Sequence, residues 1–494
     1  MAHKFAYVII AACVAVVALA SFNVLRLRSQ QPAAAPLVPP ALDMRAAAER
    51  LAGAVRFQTI SYETPSGASR EAFLLFHSYL QGAFPNAHAA VRRDVVNKYS
   101  LLYTWAGQDP TARPIVLMAH QDVVPIAPGS EPQWHAGPFS GDIKEGFIWG
   151  RGAWDDKGNL MAILEAVESL AASGFKPRRT IYLVFGHDEE NGGEEGAKAI
   201  AALFEQQGIR PEFVLDEGLL IAEGIMPGLD PPAALIGIAE KGSATLKLTA
   251  AAPAGHSSMP GPRTAIGSLA AALVRLEHSP FPATVDGIAA KMFHALAPEM
   301  HGPNRFALSN MWLLEPLLRW RLAGTPSTNA LIRTTTAITV IRGGNKENVL
   351  PGTAEGLVNF RLLPGDTVSG VVAHVRSVID DPAVRIDVLP QSSEASPVAS
   401  ESSPGYRLIA RTIRELFPGV VVAPGLVVGG TDARHMVRVA DNVYRFSPVR
   451  ARAEDLARFH GTDERISAAN YAELIGFYST LITHAAGAQA SPAP

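Results

Sequence analysis

The chain has 494 residues, too many for one ordinary domain, and 48% of them are apolar, ample for large cores. A net charge of -3 and the absence of any Lys/Arg cluster with interleaved aromatics exclude nucleic acid as a partner. The one cysteine, Cys13, excludes an internal disulfide and a Cys-based zinc site, so any metal falls to His, Asp and Glu.

Lys4 is followed by an apolar run over 5–25, broken only by Ser21 and Asn23. That run is roughly 20 residues, enough to span a bilayer as a helix. Two readings stand: a membrane anchor, which the length favours, or a cleaved signal peptide with Ala18-Leu19-Ala20 as its cleavage site. The first leaves the protein membrane-anchored by a single N-terminal helix, the second exported or periplasmic. A lipoprotein reading of Cys13 suffers from the short apolar run before it. Arg26 and Arg28 balance Lys4 and the amino terminus, so charge sets no orientation. The anchor or signal is assigned to 1–28 and a semi-rigid Pro/Ala linker to 29–40.

Beyond it, 46–51 reads as helix, and 115–120 (IVLMAH) as a buried strand ending in polar residues. A helix follows over 160–173 with Gly174 as its stop, then a buried strand over 180–186, a helix over 197–207 and a strand over 213–215. This alternation predicts a doubly wound α/β layer. Near 236 the character changes. Segments 245–249, 334–341 and 355–362 alternate apolar and polar, as half-exposed strands do, with helices over 265–276 and 367–379. The Ser/Pro-rich stretch 391–404 marks a return to α/β character. The expected architecture is a mostly parallel catalytic domain (41–240 and 391–485) with a smaller α+β lid and dimerisation domain inserted at 241–390, and a low-complexity tail at 486–494.

His120 and Asp122 lie two apart at a strand end, so they share a face, and a carboxylate beside an imidazole fixes its tautomer. Open α/β sheets place their sites at such carboxyl ends. Asp155 and Asp156 sit in the Gly-rich frame GRGAWDDKGN, where either could simply cap the next helix. The arrangement recurs: the strand over 180–186 runs into Asp188, Glu189 and Glu190, and 213–215 runs into Asp216 and Glu217. Carboxylates gathered from three strand ends repel unless a cation neutralises them. His460 arrives from a C-terminal Gly-containing loop. Two His with several carboxylates and no Cys suit zinc or a similar divalent ion.

The motifs AHQDVVP, GRGAWDDKG, DEENGG, LDEG, GHSSMP, GGTDAR and HGTDERI run in order from His120 to Ile466. In that set the chain resembles the two-zinc metallopeptidase family of aminoacylase, carboxypeptidase S, carboxypeptidase G and succinyl-diaminopimelate desuccinylase. It most resembles the carboxypeptidase S and N-fatty-acyl amino acid hydrolase branch, which shares an N-terminal apolar segment, the LDEG acid and an insertion like 289–327. The resemblance implies two Zn2+ ions, with Co2+ or Mn2+ as substitutes. It implies Asp155 as the ligand bridging both, His120 and Asp216 completing one site, Glu190 and His460 the other. It further implies Asp122 supporting His120, Glu189 as general base, and a cis peptide at Asp155-Asp156. The adjacency of Glu189 and Glu190 gives a reason for two roles, because neighbours on extended backbone point different ways.

From the inserted domain, the resemblance implies that His256 reaches the other subunit's active site to stabilise an oxyanion, and hence a homodimer. Asn348 and Arg361 match positions that contact the substrate carboxylate, with Arg434 assisting; a planar guanidinium fork suits that task. Structural ion pairing is the alternative for both arginines. Glu194, Glu195, His187, Asp188 and His435 are read as structural. The activity implied is hydrolysis of an amide beside a free carboxylate, in a small peptide or an N-acyl amino acid. A catalytically inactive, membrane-tethered binding module of the same fold is the rival reading. The apolar segment 311–324 leaves three roles open: lining an acyl pocket, covering the core, or touching a membrane.

Overall fold

The computed structural model describes residues 2–39, 42–62 and 67–487, so most of the expected tail and positions 40 and 41 lie outside it. The apolar runs Ile115–His120, Ile181–Gly186 and Phe213–Asp216 form adjacent parallel strands, buried at nearly every position. Their alternating side chains feed two cores. Ile115, Leu117 and Ala119 join the cluster with Leu160, Ile163 and Leu164 of helix Lys157–Ala172. Val116 and Met118 join the opposite one with Ile200, Ala201 and Phe204 of helix Ala197–Gln206. Helix Lys157–Ala172 is buried along its first eleven residues because Ala468–Ala486 covers its outer side.

The large sheet has ten strands. In order they are Arg92–Val96, Ser100–Trp105, Ile181–Gly186, Ile115–His120, Phe213–Asp216, Val443–Arg445, Ala233–Glu240, Ile221–Ala222 and Arg450–Ala451, with Val421–Val427 paired to Ala233–Glu240. Its centre is parallel, and its carboxyl edge carries His120, Gly186 and Asp216 side by side. The fold class is α/β, as the sequence predicts.

A second sheet of four antiparallel strands runs Thr335–Gly343, Thr353–Leu362, Gly242–Ala251, Val384–Val388. Ala244, Leu246, Leu248, Val358 and Phe360 face helices Ala265–His278 and Val368–Ile379 in a separate core. Thr264 and Thr367 cap those helices, accepting from Gly267 N at 3.1 Å and Gly370 N at 3.0 Å. The strand read at 334–341 differs from expectation. It forms the sheet edge, has a bulge between Ile338 and Val340, and is exposed along most of its length instead of half-buried.

Helix Ala2–Arg26 is, among the described residues, the one long and apolar enough to cross a membrane. The segment after it is laid on the body. Gln31 makes paired hydrogen bonds with the Val422 backbone at 3.0 and 2.7 Å, and Leu37 N donates to Glu415 O at 2.8 Å.

Candidate metal centre and active site

Three strand ends and two loops deliver the charged groups to one place. His120 Nε2 lies 2.9 Å from Asp155 Oδ1, and His460 Nε2 lies 2.8 Å from Asp155 Oδ2. Each oxygen of Asp155 therefore faces a different histidine, the disposition a bridging ligand needs. Ligand atoms of His120, Asp155 and Glu190 all fall within 4.8 Å of one another. Glu190 Oε1 stands 3.3 Å from His460 Nε2, buried and without an aligned hydrogen bond. Asp216 ends its strand outside that group of three, its oxygens accepting from Glu217 N at 3.0 Å and Ala433 N at 2.7 Å.

Asp122 is fully buried and ties the histidine to both glutamates. Its carbonyl faces His120 Nδ1 at 3.0 Å, its carboxylate stands 3.4 Å from that nitrogen, and its two oxygens accept from Glu189 N at 3.2 Å and Glu190 N at 3.1 Å. The Asp155-Asp156 peptide is cis. Neither aspartate caps the helix after it: Asp156 makes no cap bond, and accepts instead from His120 N at 3.1 Å and Asn159 Nδ2 at 2.5 Å.

The electrostatics suit a cation-binding site. Burial, then repulsion from neighbouring acids, pushes Glu189, Glu217 and Asp432 well above the usual carboxylate range and Glu190 upward as well, while burial alone raises Asp216 against its backbone hydrogen bonds. Asp155, although burial opposes its charge, is held low by hydrogen bonds from His120 and His460. The Asp155 and Glu190 carboxylates beside it raise His460 to about 10. Divalent cations would satisfy the same crowded oxygens. Oxygen and imidazole donors without sulfur, an ill-satisfied Glu190 oxygen and crowded buried acids all fit zinc or a similar ion.

Several supporting residues stand inside the motifs without any local pattern that reveals their role. Glu464 Oε1 accepts from the backbone amides of Gly152, Trp154 and Asp155 at 2.9, 3.0 and 3.1 Å, while Oε2 accepts from Arg151 Nη1 at 2.6 Å. Asn159 Oδ1 accepts from Ser447 Oγ at 2.8 Å and Tyr478 OH at 3.0 Å. Asp432 is 2% exposed and sits against Gly186 and Gly193, where a Cβ on either glycine would collide with it. Spacing could have hinted only at Asp432, through GGTDAR; the others act across more than 280 residues. Of the residues read as structural, Asp188 accepts from Glu195 N and Gly196 N, His435 bonds Gly192 O, and His187 bonds Ser100 Oγ. A cleft of about 190 Å³ opens beside Asp155, walled by Trp154, Leu220, Leu456 and Phe459.

The remaining candidates divide. Arg434 lies 3.8 Å from Glu189 and 3.9 Å from Glu240. Arg361 is half-buried beside it, its charge disfavoured first by burial and then by Arg434, and no partner for its guanidinium occurs among the described residues. His256 and Asn348 are exposed on paired short strands and their flank: Gly255–His256 pairs with Val349–Leu350, and Ser257 N donates to Asn348 O at 3.1 Å. The single chain does not bring either into contact with the acid cluster; His256 Nδ1 accepts from Ser258 instead.

Lys241, another unforeseen cation, donates to Ala330 O at 3.0 Å and Arg333 O at 2.8 Å. Burial, then Arg361, brings its amine down from 10.5 to about 8. Between those two values the unfolded chain holds a proton that the folded one has released, so this group makes stability rise with pH across that window and leaves it level below. Lys241→Met is expected to flatten that rise in urea midpoints taken from about pH 8 to 10. An unchanged slope would place the titration elsewhere.

The comparisons with known proteins agree with this arrangement. The chain is 42% identical to the probable carboxypeptidase S-like 2 of Dictyostelium discoideum over 474 residues, 93% of this chain and 90% of that one. It is 43% identical to the N-fatty-acyl-amino acid synthase/hydrolase PM20D1 of Xenopus tropicalis over 441 residues, 88% and 85% of the two chains. The crystal structure of human carnosine dipeptidase 1 shares the fold, with a TM-score of 0.63 at 18% identity over 91% of this chain and 99% of that one. Residues 116–484 match peptidase family M20/M25/M40, and the chain belongs to that family of metal-dependent hydrolases, in the carboxypeptidase S and N-fatty-acyl amino acid hydrolase branch the motifs indicate.

Proposed function

We propose that the protein is a dinuclear zinc amidohydrolase that releases an amino acid from an N-acyl amino acid with an apolar acyl group. The observation that carries the reading is that two unlike surfaces border the acid cluster. On one side the unpartnered Arg361, with Arg434 and Lys241 near it, offers positive charge to a carboxylate. On the other, Trp154, Leu220, Leu456 and Phe459 offer an apolar wall. The amide between the carboxylate and the acyl chain then lies over Asp155. The PM20D1 relative carries an N-fatty-acyl amino acid in its name, which supports the same substrate class.

In this reading His120, Asp155 and Asp216 would hold one ion, and Asp155, Glu190 and His460 the other. Bound there, the ions supply Lewis acidity toward water and the scissile carbonyl. Glu189 takes the proton from the attacking water and passes it to the departing amine, so one water adds and one amine and one carboxylate leave. Asp122 fixes the base by holding the Glu189 and Glu190 amides. His256 serves the oxyanion of a partner subunit, consistent with its exposure, and the exposed edge strand Thr335–Gly343 offers the surface for a homodimer. The inserted domain is the second sheet with its helices, at about 241–390.

The test is a rate comparison among N-oleoyl, N-acetyl and dipeptide substrates with zinc-loaded full-length protein, with and without chelator. Chelator-sensitive release, fastest on the long acyl chain, is expected. Faster release from dipeptides would make it a peptidase, and no release with two ions bound would return it to the binding-module reading. In Arg361→Met, KM should rise about 10- to 100-fold, the loss of one charge-assisted hydrogen bond, with kcat much less changed. An equal fall in kcat with constant KM would remove Arg361 from carboxylate binding.

A further inference from the structure

The apolar helix Met311–Leu322 has two apolar faces with different fates. Met311, Leu318 and Leu322 pack on the core beneath Val421 and Ala423. Trp312, Leu313, Leu317 and Trp320 point outward, 56, 40, 56 and 73% exposed. At 100° per residue these four fall within an arc of about 140°. Arg319 and Arg321, both exposed, flank that arc on either side. Aromatic rings on an apolar stripe edged by arginines are the composition of a helix lying in a lipid headgroup layer.

What covers this face is indicated by its neighbour. Helix Ala2–Arg26 is fastened at its carboxyl end to the start of the Trp-bearing helix. Buried Asn310 donates to Ala20 O at 3.1 Å and accepts from Asn23 Nδ2 at 3.1 Å, while Arg305 donates to Leu27 O at 3.1 Å. Trp312 Nε1 donates to the same Asn310 side chain at 3.3 Å. Among the described residues of that helix, 3–19 form one unbroken exposed run. With that helix seated in a membrane, the face of the body beside Ala20 is the one next to the bilayer surface.

We propose that the outward face of Met311–Leu322 docks into the headgroup layer of the phospholipid bilayer that the N-terminal helix enters, so that the body is held at two points in a fixed attitude. The proposal does not depend on which amide is hydrolysed. Its test uses the full chain in phosphatidylcholine vesicles whose acyl chains are brominated close to the headgroup. The other four tryptophans, at 105, 134, 149 and 154, are buried in the body. The emission lost on going to Trp312→Phe/Trp320→Phe therefore reports the two outer rings. That difference emission is expected to fall about twofold or more with brominated lipid and to resist aqueous iodide. Quenching by iodide but not by bromine would overturn the proposal, as would protection from both, which a second protein copy on this face would give. A nitroxide at Leu317→Cys in a Cys13→Ala chain gives an independent reading. Greater collision with oxygen than with a water-soluble nickel complex is expected, and the reverse order would overturn it.

Discussion

Glu189→Gln is expected to lower kcat by about a thousandfold or more while leaving the metal content unchanged, since general-base catalysis contributes about 10²- to 10⁴-fold. The side chain keeps its shape, and its backbone amide keeps its bond to Asp122 at 3.2 Å, so Glu190 beside it stays in register. What is lost is the capacity to accept a proton. Burial, with Asp432, Glu190 and Asp122 around it, makes the native carboxyl a stronger base than an exposed glutamate. His120 opposes that shift, and the Arg434 guanidinium stands 3.8 Å from one oxygen. Metal stoichiometry by atomic emission and single-turnover rates check the two halves separately. Full activity with normal metal would exclude Glu189 as the base. Loss of metal together with activity would show that it is a ligand.

The reach of the sequence is explained by the range of the interactions involved. His120, Glu190 and Asp216 were legible because each follows a buried apolar run, and parallel strands end side by side. Asp155 and His460 lie in loops, and the motif resemblance, not periodicity, singled them out. Glu464 stood inside a quoted motif, but its partners lie some 310 residues upstream, which no local pattern encodes. Asp156 was read as a possible cap because acids before a helix usually serve that way; the Gly-rich turn instead directs it to the His120 amide. The segment 311–322 resisted reading for a different reason. Apolar on both faces, it carries no 3.6-residue period, and only the location of the core separates its inner leucines from its outer tryptophans. The edge strand Thr335–Gly343 failed likewise: alternation predicts one buried face only where something packs against it.

Glu464→Ala is the most destabilising single change expected outside the ion ligands. Arg151 is 2% exposed and Glu464 0%, and their 2.6 Å contact is the main neutralisation of that guanidinium, the other bond being to His460 O at 3.1 Å. Truncating one partner of a buried pair leaves an uncompensated charge and costs about 3–5 kcal/mol. Here the amides of Gly152, Trp154 and Asp155 lose their acceptor too. A fall in Tm of about 10 °C is expected, with weaker ion retention on dialysis, because Glu464 seats the loop of Asp155 while Arg151 holds the carbonyl of His460. Glu464→Gln can still accept from the amides through its oxygen and should fall between. The discriminating variant is Arg151→Met/Glu464→Leu, which removes both charges. Its Tm should recover part of the loss, since no buried charge remains unpaired, while ion retention stays weak because the three amides and the His460 carbonyl still lack partners. Recovery of both would reduce Glu464 to a counter-ion for Arg151. Recovery of neither would mean that the loss comes from the amides alone, and that the arginine is solvated by other routes.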